Sequence, residues 1–84
     1  MKNQTLIKGD RVTDLSPRAR RALNGLILLI GEDDSITCNQ MDIQAVAGLG
    51  MTACRAGLHE LADRGIVSLE RIGYGAPLTY TIQD

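Results

Sequence analysis

The chain has no phenylalanine and no tryptophan, and only two tyrosines among its 84 residues. Its core is therefore expected to be aliphatic, built from Leu, Ile, Val, Ala and Met. The same shortage argues against an aromatic platform on which single-stranded bases would stack. Long apolar runs are missing too. Leu26 to Ile30 covers five positions, against the roughly 20 that a membrane helix needs, so no membrane partner is expected. His59 is the one histidine, and no cluster of Cys, Asp or Glu joins it at metal-ligand spacing, so neither a metal ligand nor a catalytic base is expected there. Cys38 and Cys54 belong to no CxxC pair. With no secretory leader recognisable, free thiols in a reducing cytoplasm are the expectation. Cys54, at an apolar helical position, reads as inert core rather than as a redox sensor. No nucleophile, base and orienting group occur together, and no phosphate-cradling glycine loop is present. Gly73-Tyr74-Gly75 is hairpin chemistry. An enzyme and a bound cofactor are both unexpected.

A strong basic excess is also lacking, since the net charge is −1. A nucleic-acid-binding domain of this size commonly carries a large positive charge. The distribution is uneven, however. Residues 1–31 hold six basic and two acidic side chains, Glu32, Asp33 and Asp34 form an acidic block, and residues 35–84 hold three basic and five acidic groups. A molecule with one basic face can grip phosphates with strong salt dependence.

What is present reads as one domain, over residues 15–84, behind an N-terminal arm of residues 1–14. The arm is polar with an apolar nub at Leu6-Ile7 and Val12, which suits a disordered arm, a short strand or a dimer-forming extension. A first helix should begin at Pro17, with Ser16 as N-cap and Leu15 packing back as a hydrophobic staple. Ala19, Ala22, Leu23, Leu26, Ile27 and Ile30 share one face, and Gly31 supplies the stop. Leu28 and Leu29 widen the apolar arc. Wider core burial accounts for them, and a contact with the arm or with another subunit is the alternative.

Ile36-Thr37-Cys38 is β-branched and short, as an edge strand would be. A second helix should cover about Met41 to Ala47, capped by Asn39 or Asp42, with Ile43, Val46 and Ala47 inward. Gly48-Leu49-Gly50 then makes a tight turn in which the glycines accept positive φ. A third helix from Met51 or Thr52 to Arg64 buries Cys54, Leu58, Leu61 and Ala62. It presents Thr52, Arg55, Ala56, His59, Glu60 and Asp63 on the opposite side. After Gly65 the apolar period changes from helical to alternating, and Ile66 to Ile72 and Leu78 to Gln83 read as the two strands of a hairpin. The expected fold is α+β: three helices with a helix-turn-helix at residues 40–67 and a C-terminal β-hairpin wing.

Gly48-Leu49, followed by Leu58-x-x-Leu61-x-x-Arg64-Gly65-Ile66-Val67 and closed by Tyr80-Thr81-Ile82, resembles the turn, second-helix core, exit and last strand of winged helix-turn-helix regulators of bacteria, phages and plasmids. The LSPRARRAL stretch, Leu15 to Leu23, is similar to the first helix of DNA-binding modules in mobile-element replication proteins. The likeness spans about residues 15–83. It implies that the exposed start of the third helix, at Gly50, Met51, Thr52, Arg55, Ala56 and His59, faces duplex DNA. Arg55 is the candidate for pairing bidentately with guanine, Thr52 for a phosphate or a base, and His59 for a phosphate. Arg18, Arg20 and Arg21 are candidates for phosphate contact, because three cations at a helix N-terminus oppose its dipole and suit an anionic partner. Arg71 and Tyr74 in the wing are candidates for backbone or minor-groove contact. The ordinary alternatives are a solvated helix arginine paired with Glu60 or Asp63, a solvated first turn and a plain hairpin tip. Two departures stand out: Gln44 occupies a position usually small, and the reading face has one arginine. One bidentate pair is worth about 1–3 kcal/mol, so a homodimer on a two-fold site, or help from the wing, is expected.

The function these features imply is sequence-specific binding of double-stranded DNA by a dimeric cytoplasmic transcriptional regulator, a repressor. A replication or partition accessory factor of a phage or plasmid would use the same surface. A winged-helix adaptor that binds protein and not DNA is the reading of another class.

Overall fold

The computed structural model describes residues 15–71 and 73–83. The arm of residues 1–14 lies outside them. The elements run α1 (Pro17–Ile30), β1 (Ser35–Cys38), α2 (Gln40–Ala47), α3 (Met51–Asp63), β2 (Val67–Arg71) and β3 (Leu78–Ile82). Three helices and a three-stranded antiparallel sheet make an α+β fold with the helix-strand-helix-helix-hairpin order of a winged helix.

Local chemistry sets the helix ends. Ser16 is extended, and its Oγ accepts a 3.3 Å bond from the Ala19 amide, satisfying one of the orphan donors of the first turn. Leu15 is buried in the core. It does not staple the first turn, because the fourth helical position that a staple would meet is the exposed Arg20. Asn39 stands at the N-cap of α2 without a side-chain capping bond. Gly48 is left-handed (φ 70°, ψ 35°), and its amide and that of Leu49 both bond the Gln44 carbonyl. Gly50 is extended (φ −77°), so only the first glycine of the turn uses glycine's freedom. At the end of α3 the Gly65 amide bonds the Ala62 carbonyl and the Ile66 amide the Leu61 carbonyl. That pair of bonds is a Schellman cap, with Ile66 buried beyond it.

The sheet order is β1-β3-β2. Thus β3 pairs Tyr80 with Ile36 on one side and with Leu69 on the other, and β1 lies at an edge, as expected. Side chains alternate across the sheet. Tyr80, Ile82, Val67 and Leu69 turn towards the helices, and Ile36 and Cys38 share that face. Ser35, Thr37, Ser68, Glu70, Thr79 and Thr81 form the polar outer face, where the Thr37 and Thr79 hydroxyls meet at 2.7 Å.

The core departs from the aliphatic expectation. Tyr80 is only 1% exposed and is the largest fully buried side chain, whereas Met41 and Met51 are exposed. Val46, expected inward, is also exposed. In a helix of eight residues only Ile43 is fully buried, with Ala47 lying against Gly25 of α1. Leu29 packs on the core, but Leu28 is 71% exposed, so core burial does not account for it. Two glycines let α1 approach its neighbours. A Cβ on Gly57 would lie 2.8 Å from the Arg18 carbonyl oxygen, and one on Gly25 would lie 3.1 Å from the Ala47 Cβ. Among the described residues no helix is long and apolar enough to cross a membrane.

Candidate nucleic-acid interface

The turn at Gly48 sends α3 away from α2 with one side outward. At 100° per residue, Cys54, Gly57, Leu58 and Leu61 point to the core and are buried. Thr52, Arg55, His59 and Asp63 lie on the other side and are exposed, and Met51 and Gly50 are exposed at its start. Ala56 is half-buried. Gln40, at the first turn of α2, donates from Nε2 to the Met51 carbonyl at 3.1 Å. This side-chain bond ties the starts of the two helices together.

The wing closes one flank of that outward side. Val67, Leu69 and Arg71 share a face of β2. Val67 is buried and Leu69 packs on the core, so Arg71 leaves the same face where the core runs out. There it lines a groove of about 340 Å³ together with Arg55, His59 and Gln40. Leu58, Leu69, Leu78 and Tyr80 are the groove's apolar wall. None of the described residues lining it is acidic. A second, smaller hollow of about 180 Å³ adjoins it, sharing Gln40, Arg71, Leu78 and Tyr80 and adding Cys38, Asn39, Ala76 and Pro77. Tyr74 stands fully exposed in the hairpin loop, where the Ala76 amide bonds the Gly73 carbonyl.

Arg55, His59 and Arg71, from two elements and sixteen positions of sequence, therefore meet in one groove. Arg18, Arg20 and Arg21 are exposed on the first turn of α1 and do not line it. The Arg18 backbone lies over Gly57 of α3, and its charge acts on Glu60. Glu60 itself is not a free carboxylate on the outward face. It accepts bonds from the Ser16 amide and hydroxyl, and Arg64 and Arg18 are the cations close to it. That engagement counts against Glu60 in the alternative pairing of Arg55 with Glu60 or Asp63.

Gln40, Leu69 and Leu78 of the groove escaped the sequence reading. The alternation from Val67 through Leu69 to Arg71 is a usable signal for Leu69, and that from Leu78 through Tyr80 to Ile82 for Leu78. Gln40 had none, because its role depends on how α2 meets α3. Cys38 is half-buried and Cys54 buried, and burial pushes both thiols up, with Asp42 adding to the effect at Cys38. Among the described residues no three His, Cys, Asp or Glu side chains stand together as a metal site would require. No protein-family model, curated protein or solved structure matches the chain.

Proposed function

We propose that the chain binds double-stranded DNA as a transcriptional regulator, laying the outward side of α3 in the major groove with the wing alongside. The observation that carries the reading is the convergence of Arg55, His59 and Arg71 on one groove with no acidic residue among those described as lining it, in a protein whose net charge is −1. Positive potential concentrated on one flank provides a phosphate footprint that the overall balance conceals. Thr52 and Arg55 project from the first half of α3, which is the part of a recognition helix that reaches base edges. Arg55 reads guanine, and Arg71 and His59 hold backbone phosphates. One arginine on the reading helix gives modest discrimination per subunit, so the active form is a homodimer on a two-fold site. Repression by occupancy of such a site is the regulation this reading favours.

A gel-shift titration on a pool of random duplexes at two salt concentrations tests this. Affinity should fall steeply with salt and be lost in part with Arg55→Ala. Absence of retardation at low salt would sink the reading. A second reading is a protein-binding adaptor, favoured by the exposure of Leu28, Met41, Val46 and Met51. It predicts no dependence on Arg55 and no retardation of DNA.

A further inference from the structure

We infer that the groove between α3 and the wing is also a binding site for a small amphiphilic carboxylate, an aromatic or branched aliphatic acid. This goes beyond DNA binding and does not require it. Four properties of the groove select that chemistry. Its volume of about 340 Å³ falls within the range of ligand pockets, roughly 300–1,000 Å³. Arg55 and Arg71 line it from different elements, and no described residue lining it is acidic. A guanidinium fork matches a carboxylate in two parallel bonds. Behind the arginines the wall is Leu58, Leu69 and Leu78, which a bare phosphate leaves uncovered but a ring or branched chain would cover.

Tyr80 makes the wall more than a surface dimple. It is 1% exposed, held between β1 and β2 in the middle of the sheet, and it lines both this groove and the adjoining hollow. Arg71 shares that face of the sheet, its β3 partner Leu78 lying two positions from Tyr80. Tyr80 gives the groove a rigid floor fixed by the sheet. Gln40 and His59 supply further polar atoms at the edge. The ligand would occupy the two arginines assigned above to DNA. Competition with DNA is thus expected, and that clause alone rests on the DNA reading.

The test is a ¹⁵N-resolved titration of the whole chain with benzoate, beside neutral benzamide and inorganic phosphate. Saturable shifts in the millimolar range are expected at residues 55–59, 69–71 and 78–80 with benzoate. They should be at least fivefold weaker with Arg55→Gln or Arg71→Gln, and absent with benzamide. Both arginines are exposed, so the variants keep the fold, and their spectra report it directly. Three results would overturn the site: no saturation with benzoate, equal binding of phosphate, or shifts centred on Arg18, Arg20 and Arg21. Benzoate added to the gel-shift assay separates the two ideas. If shifts appear but the chain retards no DNA, the ligand site stands and the regulator reading falls. If DNA is bound and no benzoate shifts appear, the reverse holds.

Discussion

Glu60 accepts two hydrogen bonds from Ser16, one from its amide at 2.9 Å and one from its hydroxyl at 2.7 Å, across 44 positions of sequence. In a capping box the carboxylate that closes back on the N-cap amide comes from the third residue of the same helix. In α1 that residue is Ala19, which has nothing to offer, and α3 supplies the carboxylate instead. Ser16 thus links the two: its Oγ accepts from Ala19 and donates to Glu60. The start of α1 is fastened to the back of the proposed recognition helix.

The first prediction concerns this link. Ser16→Ala removes the cap and should cost about 1 kcal/mol, measured by urea unfolding at neutral pH. The bonds from the Ser16 amide and then its hydroxyl hold the Glu60 carboxyl below its ordinary value of 4.5. A carboxylate with a depressed folded pKa stabilises the fold above its unfolded pKa and loses that contribution as pH falls through the folded one. Wild type should therefore exceed Glu60→Gln in stability at pH 7 by more than at pH 3. An equal gap at the two pH values would remove the carboxylate from the account.

Gly57 is the second case. A methyl group there meets backbone, the Arg18 carbonyl at 2.8 Å and the Ala19 Cα at 3.2 Å, and neither moves without shifting α1. Gly57→Ala should destabilise by about 1–3 kcal/mol, even though alanine favours helix by about 1 kcal/mol. Denaturant midpoints of the two proteins decide it, and a stabilised variant would mean that α1 and α3 do not pack this closely.

The neighbouring turn makes the opposite prediction. Gly50 is the N-cap of α3, is extended, has no side chain to cap with, and has open space at its Cβ position. Gly50→Ser should raise thermal stability by a few tenths of a kcal/mol. Gly48, left-handed at φ 70°, should lose stability when changed to alanine.

Much of this was legible in the chain because it is local. Ser16-Pro17, Gly31, Gly48 and Gly65 mark helix ends through their own backbone chemistry, and all three helices and both hairpin strands fall within two residues of expectation. The failures lie where distant elements meet. Glu60 looks solvated on a helical wheel because Ser16 is invisible at that range. Val46 follows the apolar period yet is exposed, since α2 meets α1 and the core through Ile43 and Ala47. Tyr80 was masked by composition: a scarcity of aromatics says nothing about where the few that exist will go. The groove was half readable, through Arg55 and Arg71, and its wall was not.

For the proposed interface, Arg71→Ala should lower the slope of log affinity against log salt by about 1, as loss of one phosphate contact does. Arg55→Ala should instead narrow the difference between preferred and random duplexes. Binding curves at four salt concentrations separate the two effects. The assignment fails if both variants behave like wild type.

Tyr80 sets an alkaline limit. Burial raises its phenol to about 12, above the ordinary value of 10. A pKa raised on folding contributes stability below the unfolded value that is lost as pH climbs through the folded one. Stability should decline between pH 10 and 12, and ultraviolet titration should show one tyrosine ionising only near pH 12. Tyr80→Phe should flatten the decline.

The element that comes last in order, β3, lies in the middle of the sheet. Removing residues 78–82 would not trim a margin; it would leave β1 and β2 with no common neighbour and uncover the side chains beneath. Assembly of the sheet must also wait for Ser35 to find Thr81, a wide loop to close for so small a protein. Until β3 pairs, the helices can form but the wing, of which it is one strand, cannot.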